Sequence, residues 1–230
     1  MEPLFITFEG LDGSGKSTHL QRAAGWLEQA GLPHRITHEP GGTPLGDGIR
    51  RLFLDSSANE LDGTVEMFLV FASRRQHLRE VIDPALVAGC SVLCDRFTDS
   101  TYAYQGHGRG LSLELIDQVD ALATGTRSPD RTLLFDLPAD DARRRGHSSR
   151  RAQSGSIDRI DREGIDFYRR VREGFLERAR ADPERFRVIH SGESVERTSR
   201  QVYEALIDLL PLPRLEARDG DEYSEPRLQE

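Results

Sequence analysis

Residues near the start of the chain have the types and spacing needed to hold a polyphosphate. The run Gly10-Leu11-Asp12-Gly13-Ser14-Gly15-Lys16-Ser17 matches the pattern G-x-x-x-x-G-K-[ST] without a gap. Its glycines allow backbone N–H groups to turn toward an anion, and the N-terminus of the following helix adds to the same site. Because a bare turn does not require lysine and serine at its end, we predict an ATP-binding loop. Its residues are Gly10, Leu11, Asp12, Gly13, Ser14, Gly15, Lys16, Ser17 and Thr18.

Lys16 is the only lysine in the chain, and arginine occupies every other position of the Lys and Arg count. A compact ammonium suits the β- and γ-phosphates of ATP better than the planar fork of arginine. We therefore predict that Lys16 is catalytic. The hydroxyl of Ser17, the next residue, is predicted to be a ligand of Mg²⁺.

The elements that must position this loop alternate between strand and helix. Short apolar runs predict strands over 4–8, 35–38, 91–94, 132–135 and 187–190, with helical spacing between them. This alternation indicates an α/β fold with a five-stranded parallel sheet and helices on both faces. We predict one domain over 1–210, a polar loop over 146–157 and a disordered tail over 211–230. Ligands of such sheets bind at the carboxyl ends of the strands.

Composition excludes several classes of protein. A formal net charge of −8 argues against broad nucleic-acid binding, which needs a basic face. No run approaches the ~18 apolar residues of a membrane span, and the first residues do not resemble a signal peptide. The two cysteines, Cys90 and Cys94, are predicted to be buried thiols of a reducing compartment. We therefore expect a cytoplasmic protein with neither nucleic acid nor membrane as a partner.

Segments beyond the loop resemble the thymidylate kinase family, whose members phosphorylate dTMP to dTDP. They are His38-Glu39-Pro40-Gly41-Gly42-Thr43, Asp95-Arg96-Phe97 followed by Ser100–Gly106, and Asp158-Arg159-Ile160-Asp161 before a long helix. The segments span residues 4 to about 210 in the order and spacing of the family. The resemblance implies a P-loop nucleoside monophosphate kinase fold with a short lid over 146–160. It also implies Mg-ATP as the donor, dTMP as the acceptor, a role in dTTP synthesis, and a homodimer.

The resemblance also implies roles for individual residues. Asp95 would help to hold Mg²⁺ beside Ser17, and Arg96 would grip the 5′-phosphate of the acceptor. Arg74 resembles the arginine that contacts a thymine carbonyl. The substrate-binding residues predicted in this way are Asp12, Glu39, Pro40, Arg50, Phe71, Arg74, Arg96, Thr101 and Gln105.

One position departs from the family pattern. The family usually places phenylalanine four residues before the base-reading arginine, where it stacks on thymine, and this chain has Val70 there. Phe71 or Phe68 is expected to cover the base instead, unless both belong to the core and Val70 makes a weaker apolar contact.

The loop supplies no arginine of its own, because residue 13 is glycine. Phosphoryl transfer needs positive charge on the moving group, so the arginine must come from elsewhere. The catalytic candidates are Arg150, Arg151 and Arg159, in or beside the lid, as in the bacterial type of the family. Arg159 is the first choice, whereas Arg143–Arg145 is interpreted as a solvated run of charge.

Three other functions use a loop of this kind. A GTPase of the switch type is excluded, because its guanine-recognition motif, N-K-x-D, needs a second lysine and this chain has only Lys16. Another P-loop nucleotide or deoxynucleoside kinase, with a different acceptor, is the nearest alternative. A P-loop regulatory protein that binds ATP without catalysis is a further one, although it would not need a second phosphate site.

Overall fold

A computed structural model describes residues 2–55, 61–125, 127–153 and 158–212, without the side chains of 149–153. The five strands of the sheet are parallel and lie in the order β2-β3-β1-β4-β5. The chain therefore turns to opposite sides of β1, and a crevice is expected at the carboxyl end of that strand. The strands are β1 (Phe5–Gly10), β2 (His34–His38), β3 (Ser91–Asp95), β4 (Arg131–Asp136) and β5 (Phe186–His190).

Helices connect the strands and cover both faces of the sheet. π-Helical segments extend α3 over Leu78–Ile82 and α5 over Tyr102–Gly108, and a 3-10 turn, Ile160–Arg162, precedes α8. No helix in the described part of the chain is long and apolar enough to cross a membrane. The α-helices are α1 (Lys16–Gln29), α2 (Pro44–Leu54), α3 (Gly63–His77), α4 (Asp83–Val87), α5 (Thr98–Thr101), α6 (Leu113–Thr124), α7 (Ala139–Gln153), α8 (Ile165–Ala181) and α9 (Val195–Glu204).

Alternation along β1 divides the core between the two faces. Ile6 and Phe8 pack with α1 and α9, whereas Phe5 packs with residues from β3 and from the end of α3. All three side chains are almost completely buried. Burial of each is worth about 1.5–3 kcal/mol, so the central strand β1 is firmly anchored from both faces of the sheet.

The prediction of a loop over 146–157 is wrong for its first part, because α7 continues to Gln153. The segment is polar and has no apolar period, so its sequence gives no helical signal. Packing supplies what the pattern lacks, since Ala142 and Gly146 are buried where α7 approaches Asp12 and Gly13. Residues 154–157 lie outside the described residues, as does the predicted tail from residue 213 onward.

Candidate active site

The loop between β1 and α1 follows backbone angles that favour glycine. Gly10, Gly13 and Gly15 have φ values of 131°, 82° and 91°. A Cβ atom at Gly10 would lie 2.4 Å from the carbonyl oxygen of Phe135, so this position also needs glycine for space. Gly15 precedes α1 without a capping side chain, so the first turn of the helix can receive an anion.

Lys16 is buried beneath this loop. Its ammonium donates to the carbonyl oxygens of Gly10 and Leu11 at 3.0 and 2.9 Å. Burial and the charge of Arg96 lower the pKa of Lys16 to about 8, although the Asp12 carboxylate at 3.7 Å acts in the opposite direction. Burial therefore disfavours the charged ammonium, and the phosphates of a nucleotide would favour it.

Ser17 and Asp95 lie where the resemblance expects a magnesium site. The hydroxyl of Ser17 donates to a carboxylate oxygen of Asp95 at 2.9 Å. The two residues meet because β1 and β3 are neighbours, with Phe8 in register with Asp95. A hydroxyl and a carboxylate in contact are hard oxygen donors, and this chemistry fits Mg²⁺.

Arg96 adopts a left-handed backbone conformation, with a φ of 72°, that is uncommon outside glycine. Its guanidinium donates to Asp12 at 2.6 Å and to the hydroxyl of Ser100 at 3.0 Å. The turn is also held from below by Glu9, which accepts from the backbone N–H of Phe97 at 2.7 Å and from Ser100 at 2.6 Å. A strained backbone conformation persists only where surrounding contacts hold it. Here those contacts direct the guanidinium of Arg96 toward the phosphate-binding loop.

A second group of buried polar residues lines a cavity beside Arg96. Arg74 is 1% exposed, and it donates to Glu39 at 2.7 Å and to Thr101 at 3.1 Å. Glu39 also contacts Nδ1 of His77 at 2.9 Å. These contacts hold the Arg74 guanidinium in one orientation, as a site for a planar polar group requires.

All but one of the predicted substrate residues line this second cavity, and the exception is Phe71. Phe71 packs in the core with Met67 and Tyr102, and the cavity is lined by Val70 instead. One helical position rotates a side chain by ~100°, which is why Phe71 cannot replace its neighbour. Phe68 is 54% exposed and does not line the cavity. The residues that do are Asp12, Glu39, Pro40, Arg50, Arg74, Arg96, Thr101 and Gln105.

Arg159 is not where a catalytic arginine was expected. Its guanidinium donates to Glu66 at 2.6 Å and to the carbonyl oxygen of Phe53 at 3.2 Å. Arg159 lines neither this second cavity nor the cavity beside the phosphate-binding loop. Glu66 is completely buried and also accepts from Gln105 at 2.9 Å and from Arg109 at 3.0 Å. Arg159 is therefore held behind the wall of the second cavity by a buried ion pair.

Arg145, the last residue of the run interpreted as solvated, lines the cavity of the phosphate-binding loop. Its helix reaches the loop because Gly13 has no side chain. A Cβ atom at Gly13 would lie 2.4 Å from the carbonyl oxygen of Ala142 and 2.5 Å from the backbone nitrogen of Gly146. Arg150 and Arg151 follow on α7, but their side chains lie outside the described residues.

The two cavities adjoin and share four lining residues, which are Asp12, Glu39, Arg50 and Arg96. The cavity of the phosphate-binding loop, which is the first, is lined by Gly13, Gly15, Lys16, Ser17 and Thr18. The second cavity is lined by Arg74 and its partners Glu39 and Thr101. A donor site and an acceptor site therefore meet at Arg96. This arrangement on a parallel α/β sheet defines a P-loop nucleotide kinase.

Comparisons with known proteins give the particular family. A family model described as thymidylate kinase matches residues 8–202. The thymidylate kinase of Ectopseudomonas mendocina (strain ymp) is 46% identical over 210 residues, which cover 91% of this chain and 98% of that protein. That of Pseudomonas syringae pv. tomato is 46% identical over 214 residues, or 93% of this chain and 100% of that protein. The chain belongs to the thymidylate kinase family.

A solved structure agrees with this assignment. The crystal structure of thymidylate kinase from Ehrlichia chaffeensis superimposes with a TM-score of 0.70 at 33% identity, covering 90% of this chain and 99% of that one. The predicted fold, a five-stranded parallel sheet with helices on both faces, is confirmed.

Sequence reasoning missed several residues of the site. Phe53 and Tyr104 line the second cavity, and Glu66 supports it from within the core. A signal existed for Glu66, since Glu66, Val70 and Arg74 recur every four residues and so share one face of α3. Phe53 gave no comparable signal, because nothing in the sequence relates α2 to Arg74.

Proposed function

We propose that the two cavities carry out the reaction of the family, the transfer of the γ-phosphoryl group of ATP to dTMP, which gives ADP and dTDP for dTTP synthesis. The observation that carries this proposal is that two arginines, Arg96 and Arg50, line both cavities. The acceptor phosphate and the donor phosphates can therefore approach each other without a covalent enzyme intermediate.

On the donor side, backbone N–H groups of the loop and the ammonium of Lys16 would receive the phosphates. The hydroxyl of Ser14 supports this assignment, because it is buried with no hydrogen-bond partner among the described residues. Ser17 and Asp95 would hold Mg²⁺ through their oxygens, 2.9 Å apart. When bound, the ion would offset charge on the β- and γ-phosphates.

On the acceptor side, Arg96 and Arg50 would bind the 5′-phosphate. Arg50 lines both cavities and donates to the carbonyl oxygen of Pro40 at 3.0 Å. Arg74, Thr101 and Gln105 would contact the base and sugar, since they form the polar wall of the second cavity. Asp12 holds Arg96 until the phosphate arrives, and then remains beside the sugar.

Positive charge for the transferred phosphoryl group would come from α7. Arg145 supports this proposal because it lines the donor cavity, and its guanidinium at present donates to the carbonyl oxygen of Ser191 at 3.2 Å. Arg150 and Arg151 remain predicted contributors from the same helix. Arg159 would act by supporting the acceptor cavity, in view of its contacts with Glu66 and Phe53.

Assembly as a homodimer is also part of this proposal. Val65 and Phe68, three residues apart on α3, are 43% and 54% exposed, and Leu52 on α2 is 53% exposed. Large exposed apolar side chains suit a self-complementary contact with a second copy of the chain. Sedimentation velocity should show a dimer, and Phe68→Glu should shift it toward monomer.

We also propose a cytoplasmic location. Cys90 and Cys94 are free thiols, as is typical of proteins from a reducing compartment.

A coupled assay of ADP release, run with a panel of nucleoside monophosphates, tests the proposed reaction. We expect dTMP to accelerate ADP release far more than dCMP, dAMP or dGMP does. If another monophosphate exceeds dTMP by a wide margin, the acceptor is wrong, and the nearest alternative kinase is favoured. If no monophosphate accelerates release, the protein is a P-loop ATP-binding protein without transfer activity.

A further inference from the structure

The second cavity has an apolar wall opposite its polar one. Phe53 and Leu54 from α2 and Val70 from α3 line it, and Phe53 and Val70 belong to one hydrophobic cluster. Phe53 is 7% exposed and Val70 6%, so the larger side chain comes from α2 and the smaller from α3. The wall therefore has a ring on the α2 side and only a small aliphatic group on the α3 side.

Two other aromatic rings line the cavity, but each has another task. Phe97 is completely buried, and its ring meets that of Phe5 edge-on at 4.9 Å. Tyr104 accepts a hydrogen bond from Arg96 at 3.3 Å and lies beneath its guanidinium, 5.1 Å from the ring centroid. Phe97 belongs to another hydrophobic cluster, and Tyr104, although in the cluster of Phe53 and Val70, is occupied by Arg96. This leaves Phe53 as the ring without another contact of this kind inside the cavity.

The ring of Phe53 is supported from outside the cavity. The guanidinium carbon of Arg159 lies 5.2 Å from the ring centroid, and Arg159 does not line the cavity. Arg159 also donates to the carbonyl oxygen of Phe53, while Glu66 holds its other end. Both the backbone and the ring of Phe53 are thus fixed by one buried cation.

A pyrimidine in this cavity would need two kinds of contact. Its polar edge requires donors and acceptors, which Arg74, Thr101 and Gln105 provide. Its flat face requires an apolar surface, preferably an aromatic one, and Phe53 is the ring available on the apolar wall. We propose that Phe53 of α2 is the base-stacking and specificity-determining residue of this chain, with Arg159 as its positioning residue. This inference rests on the proposed function.

The proposal explains how Val70 fits the site. A ring on α2 and a ring on α3 would both project into the same cavity, because Phe53 and Val70 line it together. A small residue at 70 leaves room for the base beside Phe53. An exchange of size between the two positions should therefore preserve the cavity, whereas two rings should crowd it.

The test uses the full chain and compares F53L, V70F and the double variant F53L/V70F. We expect F53L to raise the KM for dTMP about 10-fold, the equivalent of losing an aromatic pair, with less than a twofold change in the KM for ATP. V70F alone should also raise the KM for dTMP. The double variant should return it to within about threefold of the starting value.

The sign of the V70F effect decides the question even if F53L folds poorly. If the cavity lacks a stacking ring, V70F supplies one and lowers the KM for dTMP, which overturns the proposal. Equal increases in both KM values for F53L would overturn it as well, since they indicate a general loss of structure. Melting temperatures identify variants that do not fold. Failure of the wild-type chain to respond to dTMP would instead refute the proposed function.

Discussion

The carboxylate of Asp12 accepts a 2.6 Å hydrogen bond from the guanidinium of Arg96, and this contact joins the loop after β1 to the turn after β3. Asp12 also lies 3.7 Å from the ammonium of Lys16. One carboxylate therefore stands between the cation of the donor site and the cation of the acceptor site. In the proposed reaction, an acceptor phosphate would take over the guanidinium that Asp12 holds here.

Replacing Arg96 by lysine should weaken the acceptor site selectively. Lysine keeps the charge but loses the planar fork that can bind a phosphate through two hydrogen bonds. We expect the KM for dTMP to rise about 10- to 100-fold, with the KM for ATP nearly unchanged, in steady-state kinetics. Arg180→Lys is the matched control, because Arg180 is 62% exposed and pairs with Glu173. Equal effects on both substrates would show that Arg96 serves both sites and is not selective for the acceptor.

Replacing Arg145 by glutamine should lower kcat. The side chain lines the donor cavity, so its loss removes positive charge near the transferred group. We expect a decrease of about 10- to 100-fold, smaller than for a lone arginine finger, because α7 carries further arginines. Arg144→Gln is the control on the same helix, since Arg144 is 74% exposed and pairs with Asp141. An unchanged kcat would return the catalytic role to Arg150, Arg151 or Arg159.

Glu66→Gln should affect both stability and acceptor binding. The carboxylate is completely buried and accepts from Arg159, Arg109 and Gln105. An amide removes the charge partner of Arg159 and one of the two charge partners of Arg109 among the described residues. We expect the free energy of unfolding to fall by about 3 kcal/mol and the KM for dTMP to rise. Urea unfolding and kinetics at 15 °C would measure these effects. Glu163→Gln, which removes a partner of Arg109 that is 27% exposed, should change both much less.

Glu9 should make stability depend on pH. Burial, and then the charge of Asp99, raise the pKa of Glu9 to about 7 from an ordinary value of 4.5. The folded chain thus holds a proton that the unfolded chain releases between these values, so this stabilisation is lost as pH rises through about 7. Relative to Glu9→Gln, the wild-type chain should lose on the order of 1–3 kcal/mol between pH 5 and pH 8.

Urea unfolding of both proteins across this pH range tests the prediction, because other titrating groups cancel in the difference. Glu28→Gln makes the same chemical change on an exposed part of α1. A constant difference between wild type and Glu9→Gln would show that Glu9 does not change its protonation there.

The strands and the phosphate-binding loop could be predicted because their signals are local. An apolar run such as residues 5–8 is buried whatever surrounds it, and glycine, lysine and serine at fixed spacing serve one loop. The position of Arg159 could not be predicted, because its partner Glu66 lies 93 residues away and is reached only after folding. The prediction that Phe71 lines the cavity is wrong because Phe71 and Val70 are adjacent on α3, and adjacent helical residues point in directions ~100° apart.

The contact between Gly13 and α7 restricts how this enzyme can change. A side chain at position 13 and the backbone of residues 142–146 would occupy the same volume. An arginine carried by the loop itself and a helix resting on the loop are thus mutually exclusive designs. One substitution of Gly13 by arginine would therefore not suffice to place the cationic group in the loop. The new side chain would displace α7, and with it the arginines that α7 carries. Evolution between the two designs must alter both segments together.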